Sequence, residues 1–253
     1  MTTGMTRKGS GTGCRFVHVA LALGLALAPA LSGLGRMARA AGAGGASGGT
    51  VAARLELQAV VDRIQKRYDG ATDFRARFNQ TLTNATFKRK TSMTGEVLLK
   101  KPGRMRWNYE TPDKKMYLSD GEQLWLFEPE DNQAFKQDLK SSQLPAALAF
   151  LTGKGKLGEQ FDITFLKDAH VGAPRDYVLA LSPRQPQSQV KAIVFVVDPD
   201  TFYVRESIIT DSQANTNDLL FSDIKINGRL AEATFHFTPP AGVRVIDAGK
   251  LGK

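Results

Sequence analysis

The chain has 253 residues, room for one large β domain or two small ones, and a formal net charge of +9. Arg7, Lys8, Arg15, Arg36 and Arg39 supply five of those charges within an acid-free first 40 residues, and the +4 that remains argues against a nucleic-acid binder. Cys14 is the only cysteine, which excludes a disulfide framework.

The N-terminus reads as a secretory signal. Basic residues precede an apolar run from Phe16 to Leu27, too short to span a bilayer. Ala38-Arg39-Ala40 fits a small-residue cleavage site, with the cut before Ala41. Residues 1–40 are therefore expected to leave, and Cys14 with them. A lipid anchor would need cysteine just after the apolar run, where there is none. The processed chain is expected to be soluble, unanchored and periplasmic, a monomer by default, and not membrane-spanning.

Residues 41–52 are rich in Gly and Ala and read as a linker. The domain proper is expected over 53–248. It opens with a helix in which Leu57, Val60, Val61, Ile64 and Tyr68 recur at three- and four-residue steps, ended by Asp69-Gly70. Alternation then takes over. Phe74, Ala76 and Phe78 alternate with polar residues, as do Met105, Trp107 and Tyr109. Turn signals recur at short spacing: Lys101-Pro102-Gly103, Thr111-Pro112-Asp113, Asp120-Gly121 and Asn227-Gly228. A final strand is expected near Thr234–Phe237, with His236 facing outward. The segment Ser141–Gly153 (SSQLPAALAFLTG) interrupts the strands as a short apolar helix, with Pro145 in its first turn.

These patterns predict a mainly β fold with helices. It is an unclosed antiparallel β-barrel of about 10–11 strands, covered by the N-terminal helix and a short lid helix. A sheet with one apolar face must cover it, close on itself, or hold something apolar.

Catalytic chemistry is not legible. Beyond His18 in the signal there are only His170 and His236, far apart and with no thiol, so neither a Cys–His nucleophile nor a His-rich metal site can be drawn. There is no nucleophile elbow and no P-loop. Glu128, Glu130 and Asp131 cluster at a hairpin turn and read as solvated. Lys88-Arg89-Lys90 reads as a solvated turn or strand edge, with contact to a partner or lipid headgroups as the alternative. No enzyme activity, metal or cofactor is expected.

An ordered set of motifs resembles the periplasmic outer-membrane lipoprotein carrier (LolA) family. It comprises Phe78-Asn79-Gln80, Gly95 leading to Lys101-Pro102, and Met105-Arg106-Trp107. Ser119-Asp120-Gly121 through Leu124-Trp125, the Leu144–Leu151 segment, and Phe237-Thr238-Pro239-Pro240 through Gly242-Val243 follow. The resemblance implies a half-barrel whose apolar cavity takes the acyl chains of lipoproteins. Tyr68, Met105, Trp107, Tyr109 and Trp125 are the expected lining. Leu144, Leu148, Phe150 and Leu151 form the expected lid, and Lys101 the latch. The implied partners are acylated lipoproteins, an inner-membrane lipoprotein-releasing transporter and an outer-membrane acceptor. Two departures stand out. Lys101 replaces the arginine usual in the basic-Pro pair, giving a point charge in place of a planar fork. Met105 stands where phenylalanine is common, a flexible filler suited either to varied acyl shapes or to an ordinary core. The same fold also suits a periplasmic lipid- or lipoprotein-sensing regulatory module.

Overall fold

A computed structural model describes residues 55–138, 156–167, 169–185 and 190–250. The expected signal, the linker and the lid segment with Leu144, Leu148, Phe150 and Leu151 lie outside these described residues.

Helix α1 spans Leu57–Asp69. Its apolar stripe is the predicted one, and Val60, Val61, Ile64 and Tyr68 are all buried. Each such side chain contributes about 1.5–3 kcal/mol when removed from water. Lys66 and Arg67 sit in the last turn, where cations suit the helix dipole, and the Gly70 N–H closes the helix on the Lys66 carbonyl.

Twelve strands follow among the described residues. They are β1 (Asp73–Asn84), β2 (Arg89–Lys100), β3 (Arg104–Thr111), β4 (Lys115–Ser119), β5 (Gln123–Glu128) and β6 (Gln133–Asp138), then β7 (Phe161–Phe165), β8 (Tyr177–Pro183), β9 (Ala192–Val197), β10 (Val204–Thr210), β11 (Thr216–Ile226) and β12 (Arg244–Asp247). A one-turn helix, α2 (Leu157–Gln160), precedes β7. The sheet order is β12-β6-β5-β4-β3-β2-β1-β11-β10-β9-β8-β7. Hairpins join most neighbouring pairs, β1 and β11 meet over a long connection, and every pair is antiparallel except β12 and β6, which are parallel. The terminal strands β12 and β7 do not pair, so the barrel is unclosed. Twelve strands exceed the expected ten or eleven.

Three irregularities bend the sheet. The register shifts between Arg75 and Arg77 against β11, between Thr94 and Gly95 against β3, and between Val204 and Glu206 against β9. Bulges of this kind raise local twist and curl a sheet toward a barrel. The inner face carries Phe74, Ala76 and Phe78 of β1, Val97 and Leu99 of β2, Leu179 and Leu181 of β8, Ile193, Phe195 and Val197 of β9, and Leu219 and Phe221 of β11. Together with α1 they make one buried core.

The expected last strand at Thr234–Phe237 is a correction. Glu232–Phe235 form a 3-10 turn, and the final strand is β12. Residues 227–243 instead strap the outer face of β2–β6. Asp73, buried at the start of β1, accepts from the N–H groups of Gly228 and Arg229 at 2.8 and 3.1 Å and fixes where the strap begins. Lys100 donates to the Leu230 carbonyl at 2.6 Å and pairs with Glu232, which also pairs with Arg104. Arg106 donates to the Thr234 carbonyl at 3.0 Å. Asn132 donates to the Gly242 carbonyl at 2.9 Å, just before β12 joins β6. Leu118 and Ala134, fully buried on this outer face, owe their burial to such a cover, and Phe235 is buried with them. His236 is exposed, as an outward residue should be.

Candidate functional site

The inner face changes character across the sheet. Beneath α1 it is closed. Ile64 and Val60 are fully buried, and the Tyr68 hydroxyl accepts the Val204 N–H at 3.1 Å. Burial holds that phenol far above its ordinary pKa, so it stays neutral. Arg63 lies over the Phe202 ring and Arg67 over Tyr203, pinning the other side of the helix.

Met105 and Trp107 on β3 face the same interior and are 6% exposed. The Trp107 ring stands 5.1 Å from Phe78, and Phe78 stands 5.0 Å from Tyr109. Gly95 makes this cluster possible. It pairs with Phe78 on one side and Tyr109 on the other. A Cβ there would come within 2.0 Å of the Asn108 carbonyl and 2.7 Å of the Phe78 ring. The bare strand lets the phenylalanine ring lie across it.

Farther along, the face opens. Tyr109, Tyr117, Leu124 and Leu126 are half-buried rather than buried. Tyr109 and Tyr117 are 5.8 Å apart edge to face, and burial raises both phenol pKa values. The Tyr109 hydroxyl donates to Gln80 at 2.9 Å, and the Gln80 amide donates to Asn217 at 2.9 Å. Lys115 lays its ammonium over Tyr109 at 4.8 Å. This polar rim was not foreseen. Its signal was the glutamine of Phe78-Asn79-Gln80, in phase with the apolar residues of β1.

Three of the five expected lining residues, Met105, Trp107 and Tyr109, share the inner face, and Tyr68 packs into the same core from α1. Trp125 does not, and this is a correction. The register Met105↔Ser119↔Leu124 puts Leu124 inward, and Trp125 next to it points outward. Trp125 packs against Phe237 of the strap at 5.4 Å, beside Phe127 at 5.2 Å from the same ring.

Lys101 donates to the carbonyls of Tyr68 and Asp69 at 2.7 and 3.2 Å. Both acceptors belong to α1. The lid segment it was expected to latch lies outside the described residues. Among those residues no group of three or more His, Cys, Asp or Glu could hold a metal, and no helix is long and apolar enough to cross a membrane.

The family model for "Outer membrane lipoprotein carrier protein LolA" matches residues 69–238. The outer-membrane lipoprotein carrier protein of Pseudomonas paraeruginosa is 30% identical over 201 residues, covering 78% of this chain and 92% of that one. The chain belongs to the outer-membrane lipoprotein carrier (LolA) family. Its relative from Nitrosomonas europaea is 28% identical over 176 residues, covering 70% of this chain and 83% of that one. A solved structure of a LolA superfamily protein from the same organism aligns with a TM-score of 0.41 and 13% identity, covering 73% of this chain and 99% of that one. In this LolA-family chain the motif Gly95 to Lys101-Pro102 works as structure. The glycine admits an aromatic ring, and the lysine fastens the covering helix. The Phe237-Thr238-Pro239-Pro240 motif belongs to the outer strap, where Phe237 packs on Trp125 and Phe127.

Proposed function

We propose that this protein carries the acyl chains of lipoproteins through the periplasm, from an inner-membrane releasing transporter to an outer-membrane acceptor. One observation supports this most. The inner face passes without a break from a closed core under α1 to the half-buried Tyr109, Tyr117 and Leu124. An acyl chain entering there extends an existing apolar surface.

The physics demands such a surface. Each methylene taken from lipid into water costs about 0.8 kcal/mol, so a free multi-acyl anchor faces a barrier of tens of kcal/mol. A carrier removes that barrier with a dry face that can be covered and uncovered. Met105, Trp107 and Tyr109 form the wall next to the opening, with Tyr68 behind them. Leu144, Leu148, Phe150 and Leu151 are proposed as the lid. In this reading residues 1–40 serve as the export signal, residues 41–52 as a flexible linker, and 53–248 as the carrier domain. Binding and release need no bond made or broken, and the relatives' names describe a carrier.

Mass spectrometry of protein purified gently from periplasm tests the reading. Co-purifying acylated lipoprotein is the expected result. Protein that carries only phospholipid would favour a lipid sensor, and protein that never takes up an acylated probe would overturn the proposal.

A further inference from the structure

The hairpin joining β1 and β2 runs on past the end of β3. On its β3 side the pairing stops at Thr94, so Arg89–Met93 run on without a partner there. Five residues at about 3.3 Å each carry the tip roughly 16 Å past the end of β3. On the other side β11 follows to Thr83, one residue short of the end of β1, and Asn215 of the β10–β11 turn accepts the Ala85 N–H at 3.0 Å, so that turn stands beside the tip. The tip itself is a hydrogen-bonded turn. Asn84 accepts the Phe87 N–H at 2.8 Å, and Lys88 takes a left-handed φ of 49°.

This turn presents Phe87 with 79% of its surface exposed, more than any other large apolar residue described. Lys88, Arg89 and Lys90 follow it directly. From Phe74 to Gly95 the chain holds no acid. Among the described residues none of the three bases has a carboxylate within 4.0 Å, although Asp218 lies near enough to feel Lys90.

We propose that this tip is a membrane-docking wedge: Phe87 inserts at the lipid interface while Lys88, Arg89 and Lys90 contact anionic headgroups. An aromatic ring set among cations is the pairing that interfacial anchoring uses. A protein partner fits less well. Stable protein contacts bury about 800 Å² on each side, and a four-residue tip with one apolar side chain cannot supply that. A bilayer accepts a single inserted ring. The inference goes beyond acyl carriage, because the tip lies apart from the inner face and tests separately.

Flotation of the full chain with vesicles of phosphatidylcholine and phosphatidylglycerol, against phosphatidylcholine alone, reads the docking. Wild type should float with the anionic vesicles and lose that binding in high salt. Each base near an anionic surface contributes about 5-fold, so Lys88→Ala, Arg89→Ala and Lys90→Ala combined should weaken partitioning about 100-fold. Phe87→Ser should weaken it on the order of 10-fold. Both variants should bind an acylated probe as wild type does, which keeps this test separate from that of the carrier role. Phe87→Trp should add emission that brominated acyl chains quench. Equal flotation of wild type and the triple variant would overturn the proposal. So would unquenched emission from Phe87→Trp, which would assign the tip to a protein partner.

Discussion

The Lys101 ammonium donates to the Tyr68 carbonyl at 2.7 Å, joining the turn after β2 to the last turn of α1. A helix ends with carbonyls that lack intrahelical partners, and a cation there satisfies them and opposes the dipole. A charged hydrogen bond contributes about 1.5–3 kcal/mol, reduced here by partial exposure to about 1–2 kcal/mol. Lys101→Leu should lower the urea stability by that amount. Its affinity for an acylated probe should stay within about twofold, because the buried side chains of α1, at about 1.5–3 kcal/mol each, hold the helix regardless. A tenfold gain in affinity would show that the same ammonium also latches the 144–151 segment.

The two tryptophans lie on opposite faces of one sheet, so they should report differently. Acylated ligand should shift the emission of wild type and of Trp125→Phe alike. Trp107→Phe should abolish most of the shift. Loss of the response in Trp125→Phe, with Trp107→Phe still responding, would place the ligand on the strap side and sink the inner-face reading.

Gly95 is the narrowest point of the aromatic cluster. Gly95→Ala must displace both the Asn108 backbone, 2.0 Å from the new Cβ, and the Phe78 ring at 2.7 Å. Overpacking of this kind costs about 1–3 kcal/mol, and a backbone contact belongs at the upper end. Thermal melts should show the loss. Ala at 95 combined with Phe78→Leu should recover part of it, since the smaller side chain vacates the space. No recovery would mean that the Asn108 carbonyl alone sets the limit.

The inner face was legible where apolar and polar residues alternate cleanly. Phe74, Ala76 and Phe78, and Met105 and Trp107, could point only one way once a core existed. Leu124-Trp125-Leu126-Phe127 gave no such phase, because both faces of β5 are apolar. The reason lies in the strap. A sheet covered on one side by α1 and on the other by residues 227–243 needs apolar residues on both, and period two then carries no information. The strap itself was misread. Phe235 and Phe237 straddle His236 at strand spacing, yet the 3-10 turn at Glu232–Phe235 and the two prolines beyond make them anchors of a loop. The role of Lys101 depended on which carbonyls lie within reach, a three-dimensional fact with no local signature.

Glu206 and Asp218 set a pH dependence on the outer face of β10 and β11. Burial raises the carboxyl pKa of both, and the charge of Asp218 raises Glu206 further. A hydrogen bond between the two carboxyls pushes Glu206 up and Asp218 down, Arg205 draws Glu206 down, Asp176 pushes it up, and Lys90 draws Asp218 down. One Asp218 oxygen is buried with no hydrogen-bond partner. A carboxyl whose folded pKa lies above its unfolded value binds its proton more tightly in the folded state. Its contribution is therefore complete below the unfolded pKa and is lost as pH rises through the folded one. Stability should fall as pH climbs from the ordinary carboxylate range toward neutrality. Asp218→Asn removes one charge of the pair and supplies an amide donor to Glu206. It should raise the urea midpoint at pH 7 and change it little at pH 4, flattening the profile between them. An equal shift at both pH values would mean that the substitution acts through packing, and that the carboxyl pair does not govern stability in this range.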